Sequence, residues 1–212
     1  MNQKWCVDNF CKLVNVPRNS NVINILYIII ITCLKIVWEK RKLDDSGEDC
    51  LVSIDCTDFE IEEPTHRWKG WFSHKHNGPG VRYEIAVSLK RGHLVWIHGP
   101  FPCGQWPDVS IFRNCLKSFL DKNERVEADD GYIGEEPISC KTPGGFYSRS
   151  EDVDDARRRL RSRHETANAR IKYYGICSQT FRHELQRHGL AFRAVSVLVQ
   201  LAIENGEPLF TL

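Results

Sequence analysis

Two β-forming runs separated by three turn residues constrain this chain more than any other feature. Tyr83-Glu-Ile-Ala-Val-Ser-Leu89 alternates and is rich in β-formers, Lys90-Arg-Gly92 reads as a tight turn, and His93-Leu-Val-Trp-Ile-His98 is its hairpin partner. A Gly/Pro-rich stretch from Gly99 to Pro107 follows. Asp108 then opens a helix, because it precedes Val109, Ile111, Phe112, Leu116 and Leu120 at helical spacing, and it is expected to act as the N-cap. Arg125 to Asp129 reads as another strand, and Leu51 to Cys56 as a short one upstream. A hairpin followed by a helical crossover to a further strand requires a mixed sheet with helices on its faces, an α/β fold.

The rest of the chain completes that frame. Pro64 to Gly80 reads as a turn-rich connection, and Gly131 to about Ser150 as a loop. Glu151 to Tyr174 is expected to be helical, with acids first and basic residues later, as the helix dipole favours. Gly175 would end it. Glu184 to Asn205 reads as the last helix, with Leu185, Leu190, Phe192, Val195, Val199 and Ile203 on its apolar positions.

Three acids stand out within this order. Asp55 follows the apolar run Leu51-Val-Ser-Ile, Asp129 follows Arg125-Val-Glu-Ala, and Glu165 lies in the arginine-rich helix. A carboxylate at the end of a buried strand costs desolvation energy unless positive charge compensates it. Two such aspartates and a helical glutamate point to divalent cations and phosphoryl transfer. On the helix, Arg161, Glu165, Asn168 and Lys172 share one face, while Leu160, Ala167, Ile171 and Tyr174 fall nearer the other. A polar face of this kind suits a carboxylate site beside nucleic-acid phosphates; a solvated face with i,i+4 ion pairs accounts for it equally. In Asp129-Asp-Gly-Tyr132, alternation sends Asp129 and Asp130 to opposite faces, so one of them is the candidate, unless the segment is a plain Asp-Gly turn.

Charge supports a phosphate-binding role. The net charge of +1 hides an asymmetry: residues 44–63 hold nine acids and no Lys or Arg, whereas residues 157–193 hold nine Arg, one Lys and two acids. The basic half is a candidate phosphate surface or a solvated helix face. The nine cysteines are scattered, odd in number and lack a Cys-x2-Cys pair, which favours free thiols over disulfides or zinc. His74, His76, His183 and His188 are expected at the surface rather than as ligands. The apolar segment Val22 to Val37 belongs to an uncharged run of 16 residues, Asn19 to Leu34. That is short of the ~20 residues of a membrane span, so a buried helix or a strand is favoured over a signal anchor.

Several blocks in order resemble the DDE-superfamily transposases of eukaryotes, in the PIF/Harbinger and insertion-sequence-like group. They are Cys56-Thr-Asp-Phe-Glu-Ile61, His76 to Val87, Gly99 to Asp108, Asp129-Asp-Gly-Tyr132, Arg163-His-Glu-Thr-Ala-Asn168 and Ala202 to Phe210. The likeness runs from about Trp38 to Phe210. It implies an RNase H-like mixed sheet flanked by helices over residues 44–212, preceded by an N-terminal helical remnant or extension, residues 1–43. It further implies a metal-dependent DNA endonuclease and strand transferase, acting in the nucleus. Asp55, Asp129 and Glu165 would hold two Mg²⁺ or Mn²⁺ ions.

Relatives carry a tyrosine, arginine, glutamate and lysine separated by two, three and six residues. Arg161, Glu165 and Lys172 match that spacing, but Arg158 stands at the tyrosine position. Cys56 stands where many relatives have glycine. Arg161, Lys172 and Asn168 would contact DNA. Asp108 is the rival second carboxylate, set below Asp129 because a capping side chain is already engaged; Asp58 is the rival of Asp55. Self-association or a separate DNA-binding protein would complete the machinery, and a membrane location is disfavoured. A catalytically inactive, transposase-derived DNA-binding or protein-interaction module is the alternative function.

Overall fold

The computed structural model describes residues 36–44, 50–64, 69–132, 135, 140–141 and 151–210. Its centre is a curled mixed sheet of six strands: β1 (Cys50–Glu60), β2 (Phe72–Ser73), β3 (Gly78–Ser88), β4 (Leu94–Pro102), β5 (Arg125–Glu127) and β6 (Cys140–Lys141). The hairpin β3–β4 is antiparallel, β1 lies antiparallel on the other side of β3, and β5 and then β6 continue in parallel from β1. The short β2 pairs with the start of β3. This order, with helices on both faces, is consistent with an RNase H-like fold. Among the described residues the α-helices are α1 (Asp108–Asn114), α2 (Glu151–Lys172), α3 (Gly175–Ser178) and α4 (Leu185–Glu204).

Strand alternation divides the core in two. Phe59, Ile61, Val81, Tyr83, Ile85 and Val87 pack against Ala167 and Ile171 of α2 and against Phe192, Val195 and Val199 of α4. Val52, Ile54, Ala86 and Val126 face the other way, against Trp38, Phe112, Leu116 and Tyr132. Both layers contain fully buried side chains, among them Phe112, Phe192, Ile85 and Val52. Burying a side chain of this size contributes about 1.5–3 kcal/mol. The stacked rings of Tyr83 and Phe192, 3.8 Å between centroids, fasten α4 to the sheet.

Several expectations change. β1 is eleven residues long, so Asp55 lies inside the strand rather than at its end. Its charges interrupt the apolar pattern, but partners from β3 and the preceding turn make them tolerable. β4 extends into the Gly/Pro stretch, and β6 forms within the expected loop. Gly175 begins α3 instead of simply ending α2. Asp108 is the first residue of α1, not its cap: Pro107 occupies the N-cap position and no side chain caps the helix. His188 is buried, 1% exposed, and bonds the Tyr83 hydroxyl through Nδ1 at 2.7 Å.

Cys50, Cys56, Cys103, Cys115 and Cys177 carry free thiols. The thiols of Cys6, Cys11, Cys33 and Cys140 lie outside the described residues, as do Val22 to Lys35 of the apolar segment and most of the proposed N-terminal extension. Among the described residues no helix is long and apolar enough to cross a membrane.

Candidate active site

The site forms where β1, β5 and α2 meet. Ser53 of β1 stands opposite Glu127 of β5 in parallel register. Two residues further along come Asp55 and, just past the end of β5, Asp129, whose charge acts on it. Each carboxylate bonds a nearby backbone N–H: Asp55 Oδ1 accepts from Cys56 at 2.7 Å and Asp129 Oδ1 from Gly131 at 2.9 Å. Burial pushes the Asp55 carboxyl up to about 6; Lys75 opposes the rise, and the charge of Asp129 adds to it. Like-charged neighbours in a desolvated site behave this way.

From the α2 side, His164 is buried and its Nε2 lies 2.8 Å from Ser53 Oγ. Burial lowers its pKa to about 4, so it is neutral at physiological pH. One turn on, Asn168 donates Nδ2–H to Asp55 Oδ2 at 3.4 Å, while its buried Oδ1 has no hydrogen-bond partner. Glu165, between them in sequence, is exposed. Lys172 is half-buried; its Nζ lies 5.3 Å from the Phe59 ring centroid, and burial, then the nearby Lys75 charge, lowers its pKa. Arg161 is in α2, but its side chain lies outside the described residues, as does that of Asp130.

The opposite face of β1 holds a different set of charges. Asp58 is 0% exposed and accepts from Arg82 Nε at 2.7 Å, Arg82 Nη2 at 2.9 Å and Ser73 Oγ at 2.6 Å. Burial alone would raise its pKa, but these partners hold it below the usual carboxylate value. Asp58 is therefore a neutralised structural carboxylate. Arg82 also pairs with Asp108, Nη1 to Oδ1 at 2.5 Å, though that oxygen lacks an aligned hydrogen bond. Burial raises the Asp108 carboxyl to about 6 against the pull of Arg82 and Lys75. Asp108 thus ranks below Asp129 for a reason other than capping: it already has an arginine.

Gly131 is where these two rivals meet. A Cβ added there would lie 3.0 Å from Asp129 Oδ1 and 3.2 Å from Asp108 Oδ2, so any side chain would push between them. Beneath them, Cys56 Sγ lies 3.4 Å from the Tyr132 hydroxyl, and fully buried Glu84 accepts from Trp96 Nε1 at 3.0 Å. Burial carries the Glu84 carboxyl up to about 8, which favours its neutral form at physiological pH.

A family model described as DDE superfamily endonuclease matches residues 54–200, most of the chain. The chain belongs to the DDE superfamily. A probable transposase for insertion sequence element IS702, from Microchaete diplosiphon, is 29% identical over 163 residues, covering 72% of this chain and 57% of that protein. The chain thus spans just over half the length of this curated relative. No solved structure matches it. These matches establish the superfamily, not the PIF/Harbinger subgroup.

Members of the DDE superfamily generally use divalent metal ions. The Asp55–Asp129 pair suits such an ion: two adjacent carboxylates, one desolvated, stand beside a buried amide oxygen without a partner. The set is not closed, however, since no three His, Cys, Asp or Glu side chains among the described residues are grouped to hold a metal. Sequence reasoning missed His164, Glu84 and Lys75 as neighbours of this candidate site. A single histidine, a glutamate inside a strand or a lysine in a turn carries no local signal; only the pairing of β1 with β3 and α2 brings them in.

Proposed function

We propose that this chain is the nuclease core of a DNA transposase, performing metal-dependent phosphoryl transfer on DNA with Asp55, Asp129 and Glu165. The desolvated Asp55 carboxylate, with the charge of Asp129 acting on it, carries this reading. Asp55, Asp129 and Glu165 would hold Mg²⁺ or Mn²⁺, which when bound supplies Lewis-acid activation of the attacking and leaving oxygens. Asn168 positions Asp55 through its amide, from the helix face assigned to DNA contact. His164 anchors α2 to β1 through Ser53 and keeps Glu165 at the rim. Lys172 and Arg161, on the same helix, supply positive charge for the phosphates of the bound strand. Action in the nucleus and association with further copies or a separate DNA-binding protein belong to the same proposal.

The test is Mn²⁺-dependent nicking of supercoiled DNA by wild type and Asp129→Ala. Wild type should nick and the variant should not; equal rates would overturn the assignment. The exposure of Glu165 and the lack of a closed ligand set favour a second reading, a transposase-derived DNA-binding module without cleavage. Metal-independent DNA binding by a wild type that never nicks would select it.

A further inference from the structure

Lys75 lies in the turn between β2 and β3, which occupies residues 74–77. The turn is tied down on several sides. The Lys75 N–H donates to Ser73 Oγ at 3.2 Å, His76 Nε2 lies 3.0 Å from the Asp58 carbonyl, and Asn77 adopts a φ of 54°. The Lys75 side chain folds back over β1, and its Nζ donates to the carbonyl of Cys56, the residue after Asp55, at 2.9 Å.

Holding a long exposed side chain in one place costs rotamer freedom. A carbonyl also takes only one of the three ammonium donors and neutralises none of the charge. Among the described residues no carboxylate lies within ion-pair distance of Lys75. Its charge nevertheless acts on Asp55, Asp58 and Asp108, and it opposes that of Lys172. The result is an unpaired cation, aimed and held beside the carboxylates, with two donors still free.

We propose that Lys75 binds a non-bridging phosphate oxygen of the DNA strand lying across Asp55, forming with Lys172 a two-lysine grip on the backbone. This rests on the nuclease reading above. The competing role is structural, a tie from the turn to β1.

The experiment measures binding of the full chain to a duplex oligonucleotide across a salt series, for wild type, Lys75→Gln and Lys75→Arg. Nicking rates and urea midpoints are taken on the same samples. Removing one phosphate contact should make the slope of log K against log salt shallower by about 0.9 in Lys75→Gln. Nicking should fall roughly ten- to a hundredfold. Lys75→Arg should restore the slope, and all three proteins should share one urea midpoint. A wild-type slope in Lys75→Gln overturns the proposal, whatever its stability. So does a Lys75→Gln protein that loses stability and whose slope is not rescued by arginine. A wild type that neither binds nor nicks DNA removes the nuclease reading and this role together; a wild type that nicks, with an unchanged Lys75→Gln slope, removes only Lys75.

Discussion

Asp55 and Asp58 sit three residues apart on one strand and live in opposite electrostatic worlds. Asp58 is sealed under the sheet, with both oxygens engaged by Arg82 and Ser73. Asp55 faces α2 with one backbone N–H, a long bond from Asn168 and an unneutralised neighbour in Asp129. A carboxylate that the fold neutralises serves stability. One that the fold desolvates and leaves beside a like charge awaits a cation from outside.

Removing the sealed partner should have the largest effect on stability. Asp58→Ala leaves the Arg82 charge with Asp108 and the Trp106 carbonyl as its remaining partners, and a loss of about 3–5 kcal/mol is expected by urea denaturation. Folded Asp58→Ala, assayed below its transition, should still nick DNA. Loss of nicking without loss of stability would invert the comparison.

The next effect has the opposite sign. In metal-free protein burial holds the Asp55 carboxyl near 6, above its ordinary value of 3.8. Its ionisation therefore opposes folding fully above pH 6, and the penalty fades as pH falls from 6 to 3.8. Asp55→Asn, in EDTA at pH 8, should be more stable than wild type by on the order of 2 kcal/mol, with the gap closing below pH 4. For Asp58 the sign reverses, because its folded pKa is lowered: its contribution is present above the unfolded pKa and is lost as pH falls through the folded one. An Asp55→Asn protein less stable than wild type at pH 8 would contradict the assignment of Asp55 to the open site.

A third change should leave stability alone. Glu165 is exposed and rests on no described contact, so Glu165→Gln should keep the wild-type urea midpoint. Nicking should fall by about a hundred- to a thousandfold. Unchanged nicking would detach Glu165 from the chemistry.

Why one carboxylate was easy to place and the other was not follows from where its information lies. The hairpin, α2 and α4 announce themselves by periodicity, a local property, and the structure keeps them nearly as expected. Asp55 and Asp129 were legible from apolar runs and from family motifs. The seal on Asp58 was not, because Arg82 and Ser73 come from two other strands, β3 and β2. Asp108 is hard to read for the same reason: its position suggests a cap, but its carboxylate pairs with Arg82 of a distant strand. His188 looked like a surface residue on a helix until the Tyr83 hydroxyl, 105 positions away in sequence, gave its ring a buried partner.

The most direct test of the contrast is Mn²⁺ binding, followed by electron paramagnetic resonance with a duplex oligonucleotide present. Wild type, Asp129→Asn and Asp108→Asn would be compared. If the open site holds the cation, Asp129→Asn weakens Mn²⁺ binding at least about tenfold, the loss expected when one ligand or its close partner is removed, and Asp108→Asn binds like wild type. Wild-type affinity in Asp129→Asn, with the loss appearing in Asp108→Asn, would move the metal to the arginine-paired carboxylate and contradict the division drawn between the two faces of β1.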